Sequence, residues 1–301
     1  MFRHLLFPAG LSVFLGFTFT SCKKDPKTDN PKLRFVFEFD STLQRLNNFG
    51  MPSSIPSGHA AQSPAFNVMS AHYIELAPGP LTPLGQGAIL YHAPEVSVGG
   101  EQAIEFDKCK PVAHGEEFFS ILLRQVPAGT YEWLRVSLAY QNYDIKFKFK
   151  NPLDTTTTLT AVGTVASFIG FNTYITSYKI KTQNITVNGA RKQGYWGFET
   201  TVLGFTATAT GQAPPGATTV PNPLFATSPI PAGSCVVTAA FPEPLTITGQ
   251  EQNDILVKVR ISINKSFEWQ EVDADGWYQP DIGEVPVDMG VRGMYPVVIK
   301  N

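Results

Sequence analysis

The sequence predicts an all-β protein, an antiparallel β-sandwich with long Gly- and Pro-rich loops, on three observations. Apolar and polar residues alternate with period two in one stretch after another. Clusters of Gly, Pro, Asn and Ser separate those stretches, as in ATGQAPPGATTVPNP (208–222). No long stretch carries the 3.6-residue apolar spacing of a helix. Many short strands punctuated by turn signals favour a sandwich, immunoglobulin-like or related, over an alternating α/β fold.

Taken in chain order, the first element is not a strand. Arg3 and His4 form a short basic start, and LLFPAGLSVFLGFTFT (5–20) is almost free of polar side chains. The run is shorter than the roughly 20 apolar residues a spanning helix needs, and Pro8, Gly10 and Gly16 interrupt it. A positive start, a short apolar core and a small residue, Ser21, before the cut describe a secretory signal over residues 1–21. After it, residues 22–32 (CKKDPKTDNPK) offer Lys, Asp, Asn and Pro and no core material, so they are expected to be a flexible tether. Residues 33–301 are then the β-sandwich domain, with a division into two packed halves near residue 150 left open.

LRFVFEFD (33–40) places Leu33, Phe35, Phe37 and Phe39 on one face and Arg34, Glu38 and Asp40 on the other, the pattern of a half-buried strand. DSTLQRLNN (40–48) is the one helix-like piece, a turn or two at most. Strands are expected over 71–76, 118–126, 131–140 and 143–150. In the last of these Ile145, Phe147 and Phe149 oppose Lys146, Lys148 and Lys150, a solvated lysine row rather than a phosphate site. Further strands are expected over 158–170, 173–180, 184–189, 197–210, 234–241, 245–249, 254–263 and 295–300.

Composition narrows the function classes. Charged residues make up 16% of the chain, Phe numbers 22 and the formal net charge is −2, so core material is plentiful and nothing offers a basic surface to nucleic acid. There is no Gly-x-Ser-x-Gly elbow, no His-Glu-x-x-His and no phosphate-cradling glycine loop, so no catalytic residue is assigned and a binding role is favoured over an enzyme. The adjacent Glu116 and Glu117 would point to opposite faces of a strand, which makes them a poor acid–base pair.

Four groups could bind or cross-link. His59, His72, His92 and His114 all fall in the first half of the domain, and imidazoles gathered from neighbouring strands would suit copper, although their spacing matches no local metal motif. In DADGWYQPDIGE (273–284), Asp273, Asp275, Asp281 and Glu284 occupy the oxygen-ligand positions of a calcium loop, but Trp277 and Tyr278 stand where such a loop needs a further ligand and a glycine. A solvated turn about Asp275-Gly276 is the simpler reading. Cys109 and Cys235 lie in an exported chain, where a disulfide between them and two buried free thiols are equally compatible with the spacing. Phe267, Trp269, Trp277 and Tyr278 could form a sugar-stacking face or simply pack.

Two resemblances add to this. Phe19-Thr20-Ser21-Cys22-Lys23-Lys24-Asp25 resembles the lipobox of bacterial lipoproteins, in the Ser-Cys-Lys-Lys-Asp form of the Bacteroidetes, with Phe19 where that box usually has Leu. The resemblance implies acylation of Cys22, a membrane attachment through the lipid, and a place at the outer membrane of the cell envelope. Separately, RFVFEFD, RLNNFG, MSAHYIEL and LLRQVPAGTYEWLRVSLA, within residues 33–150, resemble the MbnP-like domain of exported bacterial proteins. That resemblance implies a β-rich ligand-binding or accessory protein, some members binding copper, without locating the ligands. The expectation is an envelope lipoprotein with an unidentified protein or glycan partner. The alternative is a glycan-binding or polysaccharide-active surface protein.

Overall fold

The computed structural model describes residues 30–224, 227 and 233–300. The expected signal, Cys22 and most of the tether lie outside the described residues. Strand is the only extended regular structure in the described chain, at 57%, with three single-turn 3₁₀ segments and no α-helix. In chain order the strands are β1 (Lys32–Asp40), β2 (His59–Gln62), β3 (Ala65–Ala77), β4 (Ala88–His92), β5 (Glu95–Val96), β6 (Ala103–Glu105), β7 (Glu117–Leu122), β8 (Gly129–Asn151) and β9 (Asp154–Phe168). They continue with β10 (Asn172–Lys179), β11 (Asn184–Lys192), β12 (Tyr195–Val202), β13 (Phe205–Gln212), β14 (Val236–Ile247), β15 (Ile255–Ser262), β16 (Phe267–Gln270), β17 (Pro286–Asp288) and β18 (Met294–Lys300).

A seven-stranded sheet, curled into half a barrel, is the centre of the molecule. Its order is β13-β12-β9-β8-β3-β4, with β14 pairing the first half of β8. Two sheets, β18-β15-β1-β7 and β17-β16-β2, pack against it, and β11-β10-β6-β5 forms a fourth. Most ladders are antiparallel. The exceptions are β1 with β15 and β6 with β10, parallel pairs that only long intervening chain can join.

β1 forms as its alternation predicts. Leu33, Phe35 and Phe37 are fully buried, each a side chain whose burial stabilises by about 1.5–3 kcal/mol. The opposite face is wired by ion pairs, Arg34 to Glu117, Glu38 to Lys258 and Asp40 to Arg260. The main core joins this sheet to Ile74, Leu76, Leu134, Val136 and Leu138 of the central sheet.

β8 is a single 23-residue strand where the sequence suggests two. The polar interruption Gln141-Asn142 stays in the strand because both side chains are buried with partners. Gln141 donates to the carbonyl of Met289, and Asn142 donates to that of Ile180. In the pairing with β3, Ala139 is skipped between Tyr140, opposite Ser70, and Leu138, opposite Ala71. An extra residue of this kind reverses the side-chain alternation. As a result Leu134, Val136 and Leu138 share a face with Tyr143 and Ile145 further along, whereas Tyr140 joins Phe168, Tyr178 and Tyr195 on the other side.

Two local expectations are corrected. Residues 40–48 form turns and an isolated bridge, Leu46 with Pro52, because Arg45 is drawn inward to Glu268 and Leu46 donates its N–H to the carbonyl of Arg292. A one-turn helix lacks the internal hydrogen bonds to compete with such contacts. Residues 197–210 are two strands joined at Leu203-Gly204, both at positive φ (50° and 84°). A hairpin turn of this shape ordinarily takes Asn-Gly, so the Leu concealed it.

Candidate metal centre

The four candidate histidines separate. His59 Nδ1 lies 2.5 Å from a carboxylate oxygen of the buried Glu268, and His114 Nδ1 accepts the backbone N–H of Phe39. His72 and His92 come together, and a residue absent from the sequence-based set, Glu95, joins them. Their three ligand atoms lie within 4.8 Å of one another.

The backbone explains the convergence. In the β3–β8 ladder Ala71 faces Leu138 and Tyr73 faces Ser137, so His72 is the extra residue of a bulge on β3. Bulges re-aim side chains and often border functional sites. His92 ends β4 directly opposite Tyr73. The chain then turns through Ala93-Pro94, fixed to β3 by a 2.7 Å hydrogen bond from the Ala93 N–H to the carbonyl of His72, and delivers Glu95 at the start of β5. Pro94 removes one backbone freedom from that turn.

Glu95 Oε1 lies 2.8 Å from His72 Nε2 and 2.9 Å from His92 Nε2, bridging both rings. Ligand atoms about 2.0–2.2 Å from one tetrahedral ion stand only slightly further apart than this, so a small expansion seats an ion among them. Two of the three inner groups have an outer partner. His72 Nδ1 shares a 3.3 Å hydrogen bond with Ser137 Oγ, and Glu95 Oε2 accepts from Gln102 Nε2 at 2.9 Å. When Nε2 takes a metal, Nδ1 carries the proton and donates it to Ser137, the orientation that holds a ligating imidazole in place.

Electrostatics favour the ligating forms. Burial holds the His72 imidazole below its ordinary value, against the opposing pull of Glu95, so it is neutral at pH 7, the charge state in which an imidazole can ligate. Burial raises the Glu95 carboxyl, but hydrogen bonds from His92, Gln102 and His72 outweigh this and leave it lowered, hence ionised. His72 is buried and Glu95 nearly so, while the His92 side chain is half exposed. The centre is therefore reached from the His92 side, where the two rings line a cavity of about 580 Å³.

Cys109 and Cys235 are both free thiols. Cys109 Sγ contacts the carbonyl of Glu105, and Cys235 Sγ lies 3.0 Å from Ser137 Oγ, one step behind His72. Burial raises both, Cys109 to about 11, so neither is a thiolate at neutral pH.

The acidic loop is assembled differently from the spacing argument. Asp273 and Asp275 gather with Glu271, not with Asp281 and Glu284. Glu284 is buried and accepts the N–H groups of Val272 and Gln279, Asp281 accepts the N–H of Lys150, and Asp275 pairs with Lys148. These carboxylates brace their own loop and its neighbour β8. Of the aromatics, Phe267 and Trp269 are buried in the core and offer no face to a sugar.

Sequence reasoning missed Glu95 because it sought histidine spacing. The available signal was His92-Ala93-Pro94-Glu95, two ligand types three residues apart across a proline turn. No protein-family model matches the chain, and neither does any curated protein or solved structure compared with it.

Proposed function

We propose that this protein is a lipid-anchored, metal-binding component of the bacterial cell envelope, taking one copper ion at His72, His92 and Glu95. The observation that carries the reading is that two imidazole nitrogens and a carboxylate oxygen lie within 4.8 Å of one another, with outer hydrogen bonds on His72 and Glu95. An N₂O donor set with an open side suits a first-row divalent ion, and at equal availability Cu²⁺ binds such sets most tightly.

Titrating the mature protein with Cu²⁺, followed by the visible ligand-field band, is expected to give one equivalent bound. His72→Ala and His92→Ala should each abolish stoichiometric binding, and His114→Ala should leave it intact. Ser137→Ala is expected to weaken it by about tenfold, the usual scale for loss of an outer hydrogen bond to a ligand. Stoichiometric copper on the His72→Ala/His92→Ala double variant would overturn the reading.

The anchor rests on the Ser21-Cys22-Lys23-Lys24 sequence, outside the described residues. Several acyl chains on Cys22 would hold the protein stably, since each buried methylene contributes roughly 0.8 kcal/mol. Cys22→Ala should move the protein from the detergent phase to the aqueous phase in a phase-partition assay. Retention of the variant in the detergent phase would remove the lipoprotein assignment.

A further inference from the structure

The 580 Å³ cavity beside the metal centre falls within the 300–1,000 Å³ range of small-molecule sites, and its chemistry is uneven. His72 and His92 both line it. Its other polar side chains are already engaged: the Tyr73 hydroxyl donates to Glu75, Ser137 Oγ lies between His72 and Cys235, and Ser234 Oγ accepts the N–H of Val236. The rest of the lining is mostly apolar, and its Leu84, Ile89 and Phe171 stand 37%, 48% and 42% exposed. Single exposed apolar side chains are ordinary on a protein surface, but three lining one cavity beside a cluster of donor atoms are not scattered.

We infer that the cavity binds a small organic molecule with one metal-ligating head, such as an imidazole, carboxylate or thioether, on an apolar body. The inference rests on the metal reading above. Three protein donors leave at least one coordination position free. Both imidazoles line the cavity together with Leu84, Ile89 and Phe171, and the Phe171 ring lies 5.7 Å from that of His72, so a molecule that fills that position from the cavity has these apolar side chains within reach. A head that replaces a metal-bound water holds the molecule in place, and the apolar body removes exposed wall from water. A bare anion would meet the metal but leave the walls wet.

The test uses the full mature protein loaded with Co²⁺, whose visible band reports a change of ligand, titrated with imidazole and with 4-phenylimidazole. The phenyl group is expected to tighten binding by about tenfold or more, from the apolar area it buries. Leu84→Ser and Ile89→Ser, neither of which touches the metal, should each reduce that preference while leaving cobalt stoichiometry and imidazole affinity unchanged. Cobalt bound one to one with no preference for 4-phenylimidazole, or a preference untouched by both serine variants, overturns this inference and leaves the metal centre standing. A protein that binds no metal at all removes both.

Discussion

Arg135→Met lowers the unfolding free energy by about 3–5 kcal/mol, the scale for breaking a buried ion pair from one side. Arg135 and Glu75 stand directly opposite each other on β8 and β3, and neither is exposed at all. The guanidinium lies 3.5 Å from a Glu75 oxygen and donates to the carbonyl of Thr82 at 2.7 Å. Glu75 in turn accepts the N–H groups of Gly85 and Gly87 and the hydroxyl of Tyr73. Together the two side chains pin the 79–87 loop, and with it Leu84 of the cavity wall, onto the sheet. Methionine keeps much of the volume of arginine but leaves the Glu75 charge buried with no counter-charge. Adding Glu75→Gln to Arg135→Met should recover a large part of the loss, because the uncompensated charge disappears while an oxygen remains for the loop N–H groups. Urea denaturation of the three proteins measures this. A single variant within about 1 kcal/mol of wild type would show that the pair does not hold the loop, and a double variant no better than the single would place the loss in packing rather than charge.

Strands were legible in the sequence where apolar residues meet the core and polar ones meet water, but not in β4, where the apolar Ile89 is the exposed one. The run of 33–40 is a legible case, and so is 143–150, where Ile145 and Phe147 are buried and Lys146 and Lys150 exposed. Legibility failed where tertiary contacts absorb polar groups. Gln141 and Asn142 read as a break because their partners, Met289 and Ile180, are distant in sequence. The cluster 208–222 read only as a separator between strands, yet Thr218, Thr219 and Asn222 within it are buried, with Arg292 and Gln193 donating to its carbonyls. The candidate metal centre was half legible for the same reason. His72 and His92 are 20 residues apart, and only a bulge and a proline turn, neither visible as periodicity, bring them to Glu95.

Glu199→Gln is expected to cost about 3 kcal/mol at pH 7, and the cost should fade as the solution is acidified. Glu199 is nearly fully buried on β12, reaching across to the turn between β10 and β11. Its carboxylate accepts the backbone N–H groups of Lys181, Thr182 and Gln183 and the Thr182 hydroxyl. Burial alone would raise this carboxyl, but these four donors outweigh it and hold it down at about 2, from an ordinary 4.5. A carboxyl lowered in the folded state stabilises it fully above the unfolded value and loses that contribution as pH falls through the folded value. A shift from 4.5 to about 2, at roughly 1.4 kcal/mol for each tenfold change, corresponds to about 3 kcal/mol. The contribution is complete above about pH 5 and disappears between there and about pH 2. Glutamine keeps the shape and one acceptor but turns an NH₂ group towards the same donors, much as the protonated acid turns an O–H. Stability of the wild type and of Glu199→Gln, measured by urea at pH 7 and again near pH 2.5, should therefore differ widely at the first and little at the second. An equal difference at both pH values would mean that the charge on Glu199 plays no part in holding the turn.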